Sequence, residues 1–578
     1  MKPRFVLMMV PLVIMAQVLL GQTALESIDT TVINRIKEEG MQRSQVMDLI
    51  SSMTDVYGPR LTGSPEYKEA ALWAKATLES WGLQNVRLDE WGPFGKGWSL
   101  KSFSASVMEP RAFPLIAYPK AWSPGTRGTL KAEVVHLNVH EESDFEKYKG
   151  ALKGKIVLIS ELRDVEAHFK AQAERLTDED LLKLANAGPG PRRQGRRMPR
   201  MDFDKMTPEE RTVAMYELGR QYMPDADSVT IMRRVQQWVR NMTVGPKMLK
   251  FCQDEGAVAV FDAGQGDGGT LWVAGANVPR DTGQAPGQGV SAYSEKAPRN
   301  IPQVTVATEH YNRMVRILQK GKKVTVELKL DVEWTPVQPG INVLAEFPGT
   351  DLKDEIVVVG GHFDSWHAGT GATDDATGCG AAMEAVRILK ALDIKPRRTI
   401  VVGLWGGEEQ GLLGSRAYVS KYLAEREGGD GMSAMAGGSG ELKKKEAYEK
   451  FSVYFNHDNG TGKFRGVYLQ GNEAARPIFR SWLEPFKAMG ASTLTYSTTG
   501  GTDHLSFDAV GLPGFQFIQD PVEYDSRTHH SNMDVYERVQ GEDMKQAATI
   551  MAAFIYNASM ADDLFPRKPE EPAAPSRN

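Results

Sequence analysis

The sequence predicts an α/β fold whose central sheet is mostly parallel, with helices on both faces. From Gly340 onward, short apolar runs alternate with stretches in which apolar residues have helical spacing. The runs Ile356–Gly360 and Thr399–Trp405 are rich in β-branched residues, and the helical stretch Gly380–Leu392 lies between them. Alternating strands and helices indicate a parallel sheet whose connections cover both faces.

The alternation continues along the rest of the chain. Its further segments are the strands Phe451–Phe455 and Gly514–Ile518 and the helices Leu412–Arg426, Glu473–Met489 and Glu542–Met560. Near the N-terminus, Glu66–Trp81 has helical spacing and Val86–Trp91 has the composition of a strand. We therefore expect one unit built from two parts, residues 25–116 and 335–561.

The stretch between these parts, residues 117–334, has a different pattern of predicted strands and helices. Short β-rich runs occur at Lys155–Ile159 and Ala257–Phe261, and Lys323–Leu330 alternates like an exposed antiparallel strand. A polar segment near 166–244 separates the first two runs and contains two helical patterns. We expect an inserted β-rich domain with a helical insertion that contributes little to the core of the other unit.

Composition excludes several classes of function. The polar segment contains a basic tract, Gly188–Arg200, but the 578-residue chain has a net charge of −5, so no general basic field attracts nucleic acid. A solvated loop is therefore the better interpretation of the tract than a nucleic-acid or lipid site. Two cysteines exclude a disulfide scaffold and Cys-rich zinc modules, so any metal must be held by His, Asp and Glu.

Both ends of the chain carry distinct signals. Lys2 and Arg4 precede an apolar run from Phe5 to Leu20, followed by small and polar residues. This layout predicts a signal peptide over residues 1–24, with an uncleaved anchor as the alternative. We expect a secreted or periplasmic protein that is free of the membrane after cleavage. The Pro- and charge-rich residues 562–578 predict a disordered tail.

Ionisable side chains follow strand after strand in the parallel unit. They are His362 with Asp364, Asp374 with Asp375, Glu408 with Glu409, Asp458 after His457, and His529 with His530. Each pair alone has an ordinary explanation, such as a surface ion pair, a charged helix N-cap or a solvated acidic turn. In an α/β sheet, however, ligands bind at the carboxyl ends of the strands. Carboxylates clustered there would repel one another unless cations neutralised them.

The residue types indicate which cations would bind. Histidine and carboxylate ligands without cysteine favour Zn²⁺, with Mn²⁺ or Co²⁺ as possible substitutes. The sharper interpretation of the aspartate pair is a carboxylate that bridges two cations. In the glutamate pair, one residue can bind metal while its neighbour acts as a general base on a metal-bound water.

The chain resembles the di-zinc exopeptidase superfamily, which includes bacterial leucyl aminopeptidases, glutamate carboxypeptidases and carboxypeptidase Q. The resemblance rests on the order His362-x-Asp364, Asp374-Asp375, Glu408-Glu409, Asp458 and His530. The carboxypeptidase Q type is the nearest in the strings Gly58-Pro-Arg-Leu61, Gly361-His-Phe-Asp-Ser-Trp366, Glu408-Glu-Gln-Gly411 and His529-His-Ser531. The resemblance covers residues 47–91 and 340–558. It implies that residues 117–334 form a protease-associated domain, from whose pattern the segment 166–244 departs.

The resemblance also implies site roles. Two zinc ions are bridged by Asp374. His362 and Asp458 complete the coordination of one zinc ion, and Glu409 and His530 complete that of the other. The implied general base is Glu408, and the residue that orients His362 is Asp364.

Two further residues enter through the resemblance. His530 is preferred over His529 as the ligand because the superfamily's histidine stands four residues before an acidic residue, here Asp534. The loop Gly501–His504 resembles a loop near the substrate in some members, so His504 is a candidate substrate-binding residue. An ordinary structural histidine is the alternative at that position.

The implied function is an exported zinc-dependent exopeptidase that hydrolyses peptides or dipeptides through a metal-bridged hydroxide. Both aminopeptidase and carboxypeptidase specificity stay open, and a homodimer is common in the superfamily. One alternative is a glutaminyl cyclase-like transferase, which uses one zinc ion. The other is a non-catalytic receptor with a peptidase fold, which should have lost ligands. The complete set of ligands in this chain favours the peptidase.

Overall fold

The computed structural model describes residues 28–188, 207–222, 244–279, 290–426 and 440–569, together with 228, 231, 232 and 235. The predicted signal peptide, residues 189–200 of the basic tract and the last residues of the predicted tail lie outside the described residues. In the part of the chain that is described, no helix has both the length and the apolar character that crossing a membrane requires.

The described strands form one large sheet and one small hairpin. The strands are β1 (Gln84–Glu109), β2 (Phe113–Pro114), β3 (Ala117–Pro119), β4 (Leu130–His136), β5 (Ile156–Leu158), β6 (Ala259–Ala263), β7 (Gln303–Val306), β8 (Thr325–Phe347), β9 (Leu352–His362), β10 (Arg398–Trp405), β11 (Ala424–Arg426), β12 (Leu442–Lys444), β13 (Phe451–Asn456), β14 (Phe464–Tyr468), β15 (Thr493–Thr495) and β16 (Gly514–Gln519). The large sheet has the order β15-β14-β16-β13-β9-β10-β8-β4-β5-β6-β7-β3, and β1 pairs with β8 and β2.

Helices cover this sheet. They are α1 (Thr30–Gln42), α2 (Val46–Ser51), α3 (Pro65–Ser80), α4 (Asp178–Asn186), α5 (Pro208–Tyr222), α6 (Gly245–Asp254), α7 (Thr308–Gln319), α8 (Thr377–Ala391), α9 (Leu413–Tyr418), α10 (Arg476–Leu483), α11 (His504–Asp508) and α12 (Gly541–Met560). Helix α12 is buried along most of its length and packs against α1 and α8. Its sequence is apolar on nearly every side, as a helix inside a core must be.

The predicted mostly parallel sheet is confirmed, and the observed sheet is mixed. Strands β10, β9, β13 and β16 run parallel as neighbours, whereas β8 and β14 flank them antiparallel. Every residue of β10 is buried, because one apolar cluster covers each face of the sheet. Burial on both faces explains why these strands read as continuous apolar runs rather than as alternating ones.

One predicted helix differs from the structure. The stretch Leu412–Arg426 forms only the short helix α9, followed by a wide turn at Val419–Leu423 and then β11. Ala424 pairs with Lys444 in the β11–β12 hairpin. This tertiary pairing overrides the helical pattern of the local sequence.

Residues 117–334, here called the middle region, continue the same sheet. Strands β4, β5, β6 and β7 run parallel there and share an apolar core with α7. The strand predicted at Lys323–Leu330 is antiparallel, as expected, and pairs with β1 and β4. Val326 and Leu328 are fully buried in the apolar core shared with α7, whereas Lys323 and Lys329 are exposed.

Strands β1 and β8 join the two regions. They pair antiparallel from Gln84 opposite Glu346 to Glu109 opposite Thr325. One end of this ribbon therefore belongs to the parallel sheet that carries β9 and β10, and the other end belongs to the middle region.

Residues 562–569, the start of the predicted disordered tail, pack against the fold. Phe565 is buried in the main core, and Arg567 forms an ion pair with Glu449. The prediction is therefore wrong for these residues, because one aromatic side chain within a polar stretch is enough to fix it to the core.

Candidate metal centre

The predicted ligands meet at the carboxyl edge of the parallel strands. His362 is the last residue of β9, and Asp458 follows β13. Glu409 follows β10 after a tight turn in which Gly407 has φ 76°, a left-handed conformation that glycine adopts without strain. Residues 520–530, here called the metal loop, connect β16 to His530. Parallel strands thus bring separate parts of the sequence to one edge.

Asp374 stands at the centre of this cluster. Its Oδ1 lies 3.1 Å from His362 Nε2, and that nitrogen lies 3.7 Å from Asp458 Oδ1. Its other oxygen, Oδ2, lies 3.4 Å from His530 Nε2, which in turn lies 2.9 Å from Glu409 Oε2. The two oxygens of one carboxylate therefore face two groups of donors. We name these the His362 group (His362, Asp374, Asp458) and the His530 group (Asp374, Glu409, His530).

The chemistry of both groups fits divalent cations. Asp374 Oδ2 and Glu409 Oε1 are buried and have no hydrogen-bond partner among the described residues, an arrangement that is costly unless something positive satisfies them. Burial, with nearby Asp374 as a further cause, raises the pKa of Glu409 well above its ordinary value. A cation beside the carboxylates would reverse that shift. Imidazole nitrogens and carboxylate oxygens are donors suited to zinc.

The two adjacent histidines differ in position. His530 Nε2 lies within 3.4 Å of Asp374 and 2.9 Å of Glu409, whereas His529 Nε2 is 4.0 Å from Asp374. The ring of His529 stacks on Tyr524 with centroids 4.7 Å apart. The shorter distances and the contact with Glu409 favour His530 as the donor, although His529 also lies within reach of a cation at this point.

Asp364 acts differently from the expectation. His362 Nδ1 donates to the backbone carbonyl of Asp364 at 2.9 Å, and the nearest carboxylate oxygen of Asp364 is 3.8 Å away. The carboxylate instead accepts from Thr62 Oγ1 at 2.7 Å and from the backbone N–H groups of Glu408 and Glu409 at 3.1 and 3.3 Å. The backbone of Asp364 thus fixes the His362 ring, while its side chain fixes the glutamate turn.

The second aspartate of the pair serves the backbone. Asp375 accepts from Gly378 N at 2.9 Å and from His362 N at 3.2 Å. It therefore satisfies an N–H in the first turn of α8, as the helix-cap explanation of the pair supposes. Asp374, one residue earlier, is left to face the donors.

Sequence reasoning missed Tyr524 and Asp534 as contributors to the site. The buried Tyr524 hydroxyl donates to Asp374 Oδ1 at 3.1 Å and lies 3.5 Å from Asp458 Oδ1. Asp534 accepts from the backbone N and hydroxyl of Thr373 at 2.6 and 2.8 Å, next to Asp374. Asp534 stood four residues after His530 in the motif, but nothing in the pattern showed that it holds Thr373. Tyr524 lies in a loop without any periodic signal.

Arg60 supports the loop between His362 and Asp374. Its fully buried guanidinium donates to the carbonyls of Met53, Phe363 and Gly371 at 2.9, 2.7 and 3.0 Å. Burial lowers its pKa, and Cys379 and nearby aspartates partly offset this effect. The string Gly58-Pro-Arg-Leu61 pointed to this residue without indicating a role.

The structure does not support His504 as a substrate-binding residue. Its side chain is fully buried, and its Nε2 contacts Gln470 Nε2 and lies 3.3 Å from the carbonyl of Thr499. Burial lowers its pKa to about 4. His504 begins α11, and its buried side chain agrees with the alternative of an ordinary structural histidine.

Comparisons with known proteins match the part of the chain that carries these residues. Residues 342–555 match peptidase family M28 and include every donor of both groups. Mouse carboxypeptidase Q is 23% identical over 529 residues, which cover 91% of this chain and 88% of that protein. Aminopeptidase YwaD of Bacillus subtilis is 27% identical over 248 residues, covering 42% of this chain and 49% of that protein.

Solved structures share the fold. A peptidase M28 precursor from Shewanella amazonensis superposes with a TM-score of 0.58 at 22% identity, covering 93% of this chain and 99% of that one. A zinc aminopeptidase from Bacillus subtilis gives a TM-score of 0.50 at 19% identity, covering 90% of this chain and 97% of that one.

Proposed function

We propose that this chain, which is a metallo-exopeptidase and matches peptidase family M28 over residues 342–555, uses two zinc ions to cleave terminal residues from peptides or dipeptides. One observation carries the proposal. The two oxygens of Asp374 face separate groups of donors, His362 with Asp458 on one side and His530 with Glu409 on the other. Such a carboxylate can bridge two cations.

We assign the ligands accordingly. The His362 group would hold one zinc ion and the His530 group the other. The similar Bacillus subtilis structure is that of a zinc aminopeptidase, and zinc agrees with the donor chemistry of this chain. Because all donors are nitrogen or oxygen, Mn²⁺ or Co²⁺ are possible substitutes.

Glu408 would move the proton. Bound divalent cations lower the pKa of a coordinated water towards neutrality and stabilise negative charge that develops on oxygen. Glu408 lies at the same edge of the sheet, its backbone is fixed by Asp364, and burial raises the pKa of its carboxyl well above the ordinary value. Glu408 would accept a proton from the attacking water. It would then pass that proton to the amine nitrogen as the peptide C–N bond breaks.

The substrate terminus is the open part of the proposal. The similar proteins include both carboxypeptidases and aminopeptidases by name, so we propose peptides or dipeptides with free termini as the substrate class. The test is a panel of dipeptides in free, N-acetylated and C-amidated forms. An aminopeptidase should lose activity on the acetylated forms only, and a carboxypeptidase on the amidated forms only. Hydrolysis of none of the free peptides by the zinc-loaded protein would contradict the proposal.

The number of zinc ions separates this function from a cyclase-like transferase. Elemental analysis of the purified protein should give about two zinc ions per chain. A ratio near one would favour the cyclase-like alternative, and no binding would favour a non-catalytic receptor.

We further propose how the chain is organised and where it acts. Residues 1–24 would be a signal peptide that directs the protein to the periplasm or outside the cell. Residues 117–334 would be an inserted protease-associated domain, and residues 25–116 with 335–561 the peptidase domain. The protein would form a homodimer. N-terminal sequencing of the mature protein and light scattering after gel filtration test the first and last of these proposals.

A further inference from the structure

Part of the inserted region reaches the metal loop. Residues 172–176, here called the strap, lie between β5 and α4. The backbone N–H of Glu174 donates to Val522 O at 2.9 Å, and Val522 N donates back to Glu174 O at 2.8 Å. Gln172 makes two further contacts with the metal loop. Its backbone carbonyl accepts from Ser526 Oγ at 2.9 Å, and its side-chain oxygen accepts from the guanidinium of Arg527. The strap therefore follows the metal loop along much of its length.

A buried ion cluster anchors the strap. Asp520 is 1% exposed and accepts from Arg175 at 2.8 Å and from Arg465 at 2.8 Å. Its Oδ1 also accepts from Leu176 N at 3.0 Å. Arg175 lies 2.7 Å from Asp543 of α12 as well. Arg175 itself is half-exposed, but removing it would leave the buried carboxylate of Asp520 with Arg465 as its remaining cationic partner, which is costly for a buried charge.

The contacts of the strap flank Tyr524. The strap holds Val522 on one side of this residue and Ser526 on the other. Val522 has φ 49°, a left-handed conformation that is rare for a β-branched residue and persists only where neighbours hold it. The backbone pair with Glu174 provides that constraint. Tyr524, placed between the two anchors, contacts Asp374 and Asp458 of the His362 group.

The inserted region also holds the far end of the metal loop. His530 O accepts from Val273 N at 3.1 Å. Leu271 and Asn532 exchange hydrogen bonds, at 3.0 Å from Asn532 N to Leu271 O and at 2.8 Å from Leu271 N to Asn532 Oδ1. Residues on both sides of the histidine pair are thus fixed by segments from residues 117–334. Only the strap belongs to the segment 166–244 that was expected to contribute little to the core of the other unit, and it contacts that unit at the metal loop.

We propose that Gln172 and Arg175 are positioning residues for the metal centre. By fixing the metal loop, they place the Tyr524 hydroxyl against Asp374 and Asp458, and so they set the affinity and coordination of the cation held by the His362 group. This inference rests on the proposed function for the presence of that cation. Outer partners of metal ligands commonly change affinity or activity by about 10- to 100-fold when they are removed.

The test removes the side-chain contacts of the strap, those of Gln172 with Arg527 and of Arg175 with Asp520 and Asp543, in the full-length protein. The variant carries Gln172→Ala and Arg175→Met, Arg175→Lys is the conservative variant, and Lys183→Met is the matched control. Lys183 lies on α4 near the strap but pairs only with α4 carboxylates in the described structure. Zinc affinity is measured by titration against a competing chelator, and coordination by the visible absorption spectrum of the Co²⁺-loaded protein. Hydrogen exchange reports on residues 520–530 and on β9.

The double variant should lose about 10-fold in zinc affinity, change the Co²⁺ spectrum and speed hydrogen exchange in the metal loop but not in β9. Arg175→Lys should recover most of the affinity, and Lys183→Met should match the parent. Tyr524→Phe should weaken zinc binding similarly. Combining it with the strap variant should add little, because both changes act through one hydroxyl.

Parent-like zinc affinity and Co²⁺ spectrum in the double variant would overturn the proposal, as would effects of Tyr524→Phe and the strap variant that add fully. A global loss of structure would appear as faster exchange in β9 too. The single variant Gln172→Ala, which keeps the ion pair of Arg175 with Asp520, then decides: weaker zinc binding would support the proposal, and parent-like affinity would overturn it. If the parent itself binds no zinc, the proposed function fails. Exchange in the metal loop still tests whether the strap orders it.

Discussion

Asp364 fixes Glu408 through the backbone, because its Oδ1 accepts the Glu408 N–H at 3.1 Å. The contact ties the end of β9 to the turn after β10. We expect Asp364→Asn to turn an amide N–H₂ towards the N–H groups of that turn or to lose the bond from Thr62. Either change should shift Glu408 and lower kcat by about 10- to 100-fold. Metal content should stay near the parent value, because the carbonyl that orients His362 is retained. Loss of zinc with unchanged kcat per bound metal would contradict this role.

The neighbouring glutamates should respond differently to the same substitution. Glu408→Gln removes the proton acceptor and should lower kcat by about 10²- to 10⁴-fold while zinc content stays unchanged. Glu409→Gln removes an anionic donor 2.9 Å from His530, so zinc and activity should fall together, and excess Zn²⁺ should partly restore both. Elemental analysis and steady-state kinetics on the two proteins give the comparison. A metal-free Glu408→Gln beside a fully loaded Glu409→Gln would show that the two roles are reversed.

Removing the metal should abolish hydrolysis. Every proposed donor is nitrogen or oxygen, so a strong chelator should extract the ions and Zn²⁺ should restore activity. The orphaned oxygens of Asp374 and Glu409 should then lack a positive partner, and the apoprotein should melt at a lower temperature. Calorimetry of apo and zinc-loaded protein measures the shift. Activity that survives complete chelation would exclude a metallopeptidase mechanism.

Arg60 should matter for stability more than any exposed arginine. Its guanidinium is fully buried and donates to carbonyls from three parts of the chain, at Met53, Phe363 and Gly371. Arg60→Met would leave those acceptors unsatisfied, at a cost of about 3 kcal/mol in the free energy of unfolding. Urea denaturation of the variant measures this loss. Arg127→Met, at an exposed position, is the control and should change stability by less than about 0.5 kcal/mol.

Acidification should destabilise the protein partly through His504. Burial lowers its folded-state pKa to about 4, whereas the unfolded histidine titrates near 6.5. Between these values the unfolded chain binds the proton and the native chain does not, so stability falls as the pH decreases from about 6.5 to about 4. Each such group contributes about 1.4 kcal/mol per pH unit in this window.

Comparing the pH dependence of the free energy of unfolding in two proteins separates the contribution of His504 from those of other groups. Burial raises the pKa of Asp534 to about 7, which gives a pH dependence of opposite sign. The free energy of unfolding should therefore be compared between parent and His504→Asn at several pH values and one metal loading. The variant should show a shallower decline between pH 6.5 and 4. An identical slope in both proteins would mean that His504 is protonated in the native state.

Much of the site could be predicted because its donors follow strands whose apolar runs are recognisable. His362 ends β9, and Glu408 and Glu409 follow β10, so the geometry of a parallel sheet brings them together. The order of these residues matched a known ligand set. The strands themselves could be predicted because burial on both faces of the sheet gives them continuous apolar sequences.

The other features of the site depend on contacts that produce no periodic pattern in the sequence. Tyr524 and Glu174 act through a loop and a single backbone bridge, and any residue with an N–H can form such a bridge. For His504 the sequence left a substrate-binding and a structural role open, because a motif gives the position of a residue but not the direction of its side chain. The early end of α9 followed from pairing between Ala424 and Lys444, which lie on either side of residues 427–439.

The ribbon of β1 and β8 has a consequence for synthesis of the chain. Gln84 pairs with Glu346 and Glu109 with Thr325, partners roughly two hundred residues or more apart along the chain. β1 therefore emerges from the ribosome long before its partner exists. An N-terminal fragment that stops short of Phe347 would leave a 26-residue strand without its full complement of hydrogen bonds. Such an unpaired edge invites association between nascent chains until β8 has been synthesised.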